Sequence, residues 1–159
     1  MSISIRTLAR TGAATVAAAA AAALAIGAAA PAEAATAAHA TLGVVAEGTG
    51  YYWIPVSGVF PMSRAAAQDA INHGYTVQLR LWGDDPYSDD LQYTYPNAVL
   101  SVGDDGLHFS RSARVWHSVL NEDDSWTDDH DELYVGACAV GPTGNIALKV
   151  ESNRVGGYF

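Results

Sequence analysis

Asp84-Asp85-Pro86-Tyr87-Ser88-Asp89-Asp90, Asp104-Asp105 and Glu122-Asp123-Asp124-Ser125-Trp126-Thr127-Asp128-Asp129-His130-Asp131-Glu132 gather 13 carboxylates into three short stretches. Carboxylates about 4 Å apart repel by ~1 kcal/mol per pair in water, and more beside a low-dielectric surface. Crowding several into one turn therefore requires counter-charge. The whole chain has 8 Lys and Arg against 17 Asp and Glu, and the bases lie mostly outside these stretches. Calcium is the natural remedy, because it is a hard cation that accepts six to eight oxygens and is abundant outside cells. The expected metal ligands are Asp84, Asp85, Asp89 and Asp90 in one loop and Asp123, Asp128, Asp129, Asp131 and Glu132 in the other. The competing reading is a solvated acidic loop, the usual role of a like-charge block.

The first and last stretches echo one another. Each has Asp-Asp, a small or proline residue, an aromatic, Ser or Thr, and Asp-Asp again, three residues after Leu81 or Leu120. An EF-hand read from Asp123 fails, since Asp128 falls where the turn glycine is needed and Tyr134 where the bidentate Glu belongs. In Asn121-Glu122-Asp123 leading to Asp131-Glu132-Leu133-Tyr134-Val135-Gly136, and in Asp84-Asp85 leading to Asp89-Asp90-Leu91, the chain resembles the loops of C2-type calcium-binding β-sandwiches over about two dozen residues. That resemblance implies a β-sandwich with calcium held between loops at one end.

Two further chemistries compete with calcium. Asp129 or Asp131 beside His130 or His117 could do general acid-base work, and a small extracellular hydrolase would need two carboxylates at a set separation. The chain has no Gly-x-Ser-x-Gly elbow, His-Glu-x-x-His helix or phosphate loop, and Gly48-Thr49-Gly50 lacks the third glycine of a dinucleotide site. Aromatics are the other resource. Tyr51, Tyr52 and Trp53 cluster ahead of the helix, Trp82, Tyr87, Tyr93 and Tyr95 surround the first acidic loop, and Trp116 and Trp126 flank or occupy the second. Rings beside acids can hold sugars or cationic ligands. Tyr87 and Trp126, inside the acidic loops, have little local apolar surface and are the expected partner contacts.

Short strands must position these residues. Thr76 to Leu81 alternates, with Val77, Leu79 and Leu81 on one face and Thr76, Gln78 and Arg80 on the other. Similar runs occur at 42–46, 51–56, 91–95, 98–102, 107–110, 115–120, 133–140 and 146–151. Gly, Pro, Asn and Asp separate them at the spacing of an antiparallel sandwich or barrel. One helix is expected over 64–73, capped by Ser63 and closed by Gly74, with Ala67, Ala70 and Ile71 as its apolar stripe. Such a helix suits a plug over a sheet edge. Cys138, alone in a strand-like run, reads as a small buried hydrophobe.

The first forty residues contain 20 alanines and have the order of a secretory signal. Arg6 and Arg10 lead, Ala13 to Ala30 is apolar, and Ala32-Glu33-Ala34 offers a small-x-small cleavage site, with Ala38-His39-Ala40 a second. The run is too weakly apolar for a membrane span. The alanine excess points to a bacterium with a GC-rich genome. Cleavage after Ala34 leaves 16 acids and six bases, a balance that disfavours nucleic acid and anionic membranes as partners. The expectation is a secreted, mainly β domain over 41–159 after a 1–34 signal, binding calcium as a binding or structural module. A hydrolase is one alternative. An inhibitor or interaction module that docks a basic protein on its acidic face is the other, and a carbohydrate is a further possible ligand.

Overall fold

The structure, a computed structural model, describes residues 37–85, 88–121 and 131–159. The chain divides between Glu33 and Ala34, and all described residues belong to the unit Ala34–Phe159. The expected signal segment, Tyr87, and Asp123, Trp126, Asp128 and Asp129 of the longer acidic loop lie outside the described residues.

The elements are β1 His39–Leu42, β2 Val45–Gly48, β3 Tyr51–Pro61, α1 Arg64–Asn72, β4 Thr76–Gly83, β5 Asp90–Thr94, β6 Val99–Val102 and β7 Gly106–Trp116, then a 3-10 turn His117–Val119, β8 Asp131–Val140, β9 Ile146–Glu151 and β10 Val155–Gly157. They form two antiparallel five-stranded sheets. The first has the order β1-β3-β7-β6, with β2 also on β3; the second has β10-β8-β4-β5, with β9 also on β8. The sheets pack together without closing into a barrel, so the sandwich alternative holds.

Alternation along the central strands builds the core. In β4, Val77, Leu79 and Leu81 are fully buried, as are Leu133 and Val135 in β8 and Ile54 and Phe60 in β3. They meet Leu107, Phe109 and Val115 of β7 between the sheets. Burial of such side chains contributes ~1.5–3 kcal/mol each. Gly58 of β3, between β1 and β7, has no room for a side chain, because a Cβ there would collide with the His39 carbonyl and the Phe109 ring. The sheets are also tied at one edge. Asn153 accepts a bond from the Leu42 N–H at 2.9 Å and donates to the Leu42 carbonyl at 3.2 Å, beside a parallel bridge between Ala40 and Ser152.

Several expectations change. The runs 107–110 and 115–120 are not two strands: β7 passes through Arg111 to Arg114 and pairs with the whole of β3, from Tyr51↔Trp116 to Pro61↔Gly106. Ser110, Ser112 and Arg114 alternate along its outer side with Phe109, Arg111, Ala113 and Val115 on the other. His117, expected on a strand, starts the 3-10 turn. The 42–46 run splits, with β1 pairing Val56–Val59 and β2 pairing Tyr51–Trp53. β10 is too short and glycine-rich to signal itself. The helix stops at Asn72, one residue early; the Ser63 hydroxyl accepts from Ala66 N–H at 3.2 Å, and Gly74 turns the chain away at φ +77°. It packs on β6 and β7, and β6 is an edge strand. No helix among the described residues is long and apolar enough to cross a membrane.

Candidate functional site

The ends of the two acidic loops meet. β4 pairs antiparallel with both β5 and β8, and Gly83 faces Asp90 on one side and Leu133 on the other. Asp84 N–H donates to the Glu132 carbonyl at 2.7 Å. Asp84, Asp85, Asp89, Asp90, Asp131 and Glu132 therefore share one end of the second sheet. Their side chains take different partners. Arg154, from the β9–β10 connection, pairs with Asp84 and lies over the Tyr134 ring at 4.9 Å, while the Tyr134 hydroxyl donates to Asp89 at 2.6 Å. Asp131 is buried, at 2% exposure, whereas Glu132 points outward. Among the described residues no three Asp, Glu, His or Cys side chains are grouped to hold a metal.

Asp84 and Asp89 thus find their counter-charge and hydrogen bond within the protein. Burial and then the hydrogen bond to Asp89, with the fields of Asp89, Glu151 and Asp84, push the Tyr134 phenol well above its ordinary range. The third acidic stretch is likewise occupied: Asp104 pairs with Arg64 at 2.7 Å and Asp105 with His108 at 2.5 Å. The His108 contact lowers the Asp105 carboxyl below the usual range.

Beyond Tyr134 the outer face of the second sheet sinks into a trough of about 540 Å³. Register explains it. On the outer face Trp82 stands beside Tyr134, Arg80 beside Gly136, and Gln78 beside Cys138. Across β8, Gly136 faces Glu151 and Cys138 faces Lys149. Two small residues of β8 thus form a floor between rows of long side chains on β4 and β9. The indole of Trp82 leans over Gly136, where a Cβ would sit 3.3 Å from the indole nitrogen. Ile146 closes the far end, and Tyr134, held by Asp89, forms the near end.

Charge in this trough is distinctive. Among the described residues Arg64, Arg114 and Arg154 each have a carboxylate partner, and Arg111 has a buried Nε with no hydrogen bond. The other two cations, Arg80 and Lys149, make no ion pair, and both line the trough with Glu151. Cys138, expected in the interior, is half-buried on the floor; the even positions of β8 face outward and the odd ones inward. Gln78, Arg80, Gly136, Lys149 and Glu151 escaped the sequence reading because cross-strand register alone brings them together. The low Gly136-x-Cys138 run within an apolar strand was their only trace.

A second aromatic group lies on the outer face of the first sheet. Trp53 and Trp116 are 40% and 42% exposed. Tyr51 meets Trp116 edge-on at 4.8 Å and is covered by the Arg114 guanidinium, which also pairs with Glu47. Arg114 and Glu47 thus satisfy one another within the patch. Comparison of the chain with protein families, curated proteins and solved structures finds no match.

Proposed function

We propose that this protein is a secreted β-sandwich binding module that takes a carbohydrate in the trough on its second sheet. The observation that carries the reading is the low Gly136–Cys138 floor between long polar side chains, with the Trp82 indole at its side. Sugar rings offer an apolar C–H face to an indole and a rim of hydroxyls to amide, carboxylate and guanidinium groups. A mostly apolar concavity with a few placed polar groups is the usual form of such a site. Glycoside hydrolysis needs a pair of carboxylates. Among the described residues the trough lining has the carboxylate of Glu151, and neighbouring Asp84 and Asp89 are engaged by Arg154 and Tyr134. These features favour holding a sugar over cutting it. The test is calorimetric titration with an oligosaccharide panel against the protein and Trp82→Ala: loss of the indole should weaken binding about tenfold, roughly 1.4 kcal/mol. Equal affinity for both proteins would remove the trough from the account.

Calcium binding is a second reading, favoured by the junction of the two acidic loops through Asp84 and Glu132. The ligands of that reading are Asp85, Asp90 and Glu132, together with Asp123, Asp128 and Asp129 as the sequence names them. In that reading the ion organises the near end of the trough, close to the Asp89–Tyr134 bond, as the C2-like loops imply.

A further inference from the structure

The trough's charge deepens this reading and rests on it. In a chain with 17 acidic and 8 basic residues, cations are expected to be neutralised, and three arginines are. Among the described residues Arg80, Arg111 and Lys149 make no ion pair, and Arg80 and Lys149 stand on opposite walls of one depression. They project from β4 and β9, flanking β8, so their backbones lie two strand spacings apart, about 9–10 Å. Arg80 pairs in register with Gly136, and Lys149 with Cys138. The two charged heads can therefore reach one group above the floor between these residues. Arg presents a planar fork that fits a carboxylate through two parallel bonds, and Lys adds a point charge. Glu151, opposite Arg80 across Gly136, can accept bonds from hydroxyls of the same ligand, and the Gln78 amide can accept or donate.

We infer that the trough selects acidic sugars: a uronic-acid residue stacks on Trp82, its carboxylate sits between Arg80 and Lys149, and its hydroxyls bond to Glu151 and Gln78. The overall acidity of the protein would disfavour such a ligand elsewhere on its surface. The two cations supply the local exception.

The test is calorimetric titration of the protein with trigalacturonate, with its fully methyl-esterified form and with glucose 6-phosphate. The ester keeps rings and hydroxyls and exchanges each carboxylate's charge for a methyl group. Trigalacturonate should bind at least tenfold more tightly than the ester. Arg80→Gln and Lys149→Gln should each remove most of that preference while leaving the melting midpoint unchanged. Equal affinity for acid and ester, or a preference that survives both substitutions, overturns the acidic-sugar inference and leaves the trough reading standing. Binding of glucose 6-phosphate through Arg80 and Lys149, with none of trigalacturonate, assigns the anion to phosphate and overturns the carboxylate. If none of the three binds, or if all bind equally well to Gly136→Val, the trough itself is overturned.

Discussion

Two tyrosines with opposite surroundings provide a direct check on the polar contacts. Tyr134 donates to Asp89, so Tyr134→Phe removes a hydrogen bond to a charged acceptor. The cost should be about 1 kcal/mol in urea unfolding, near the lower end of such bonds because Asp89 is exposed. Tyr95 is 4% exposed and its hydroxyl has no partner among the described residues. Tyr95→Phe should therefore be neutral or stabilising, since it removes an unsatisfied polar atom. Both phenols have raised folded pKa values, Tyr95 through burial and then its neighbour Tyr93. A raised pKa favours the neutral form in the fold, so its contribution is complete below the ordinary phenol value of 10.0 and is lost as pH rises through the higher folded values. Alkaline unfolding of the wild type should thus be steeper than that of either Phe variant. Equal slopes in all three would contradict the assigned environments.

Register links these residues into elements. The alternation of Thr76 to Leu81 fixed which side chains of β4 face outward, and the Ser63 cap and Gly74 stop fixed α1 to within one residue. Sequence could not reveal that β8 lies between β4 and β9, because its pairing with β4 spans 50 or more residues of chain, although β9 follows it directly. The trough was invisible for this reason, whereas the acidic loops, being contiguous, were obvious. The counter-charge of Asp84 was invisible for the same reason: Arg154 is distant in sequence but adjacent to Asp84 in the fold. Gly136→Val should crowd the Trp82 indole, because a Cβ there would already lie 3.3 Å from its nitrogen, and should abolish sugar binding at a cost of about 1 kcal/mol, the low end for overpacking, since the indole can swing toward solvent. Gly58→Ala at the crowded β1–β3–β7 junction should instead cost about 2–3 kcal/mol through overpacking. Denaturant midpoints for both variants distinguish a floor kept low for a ligand from a site kept small for packing.

For the molecule as a whole, the proposed export and metal binding would leave separate signatures. Cleavage after Ala34 preserves β1, whereas cleavage after Ala40 removes His39 and buried Ala40 from its pairing with β3. Intact mass of the secreted product should therefore place its first residue at Ala35; a start at Thr41 would mean that half of β1 is dispensable. Calcium at ten times its dissociation constant should stabilise a binding fold by about 1.4 kcal/mol, roughly 4 °C in a domain of this size. An equal rise with magnesium at matched ionic strength would return the loops to solvated acid. The trough is tested most directly by the amide and indole spectrum of the ¹⁵N-labelled protein during titration with trigalacturonate. The resonances of the Trp82 indole N–H, Gly136 and Cys138 should move together and saturate at one dissociation constant, while the Trp53 and Trp116 indoles on the opposite sheet stay fixed. Saturable shifts at Trp53 and Trp116, with Trp82 and Gly136 unmoved, would contradict the account.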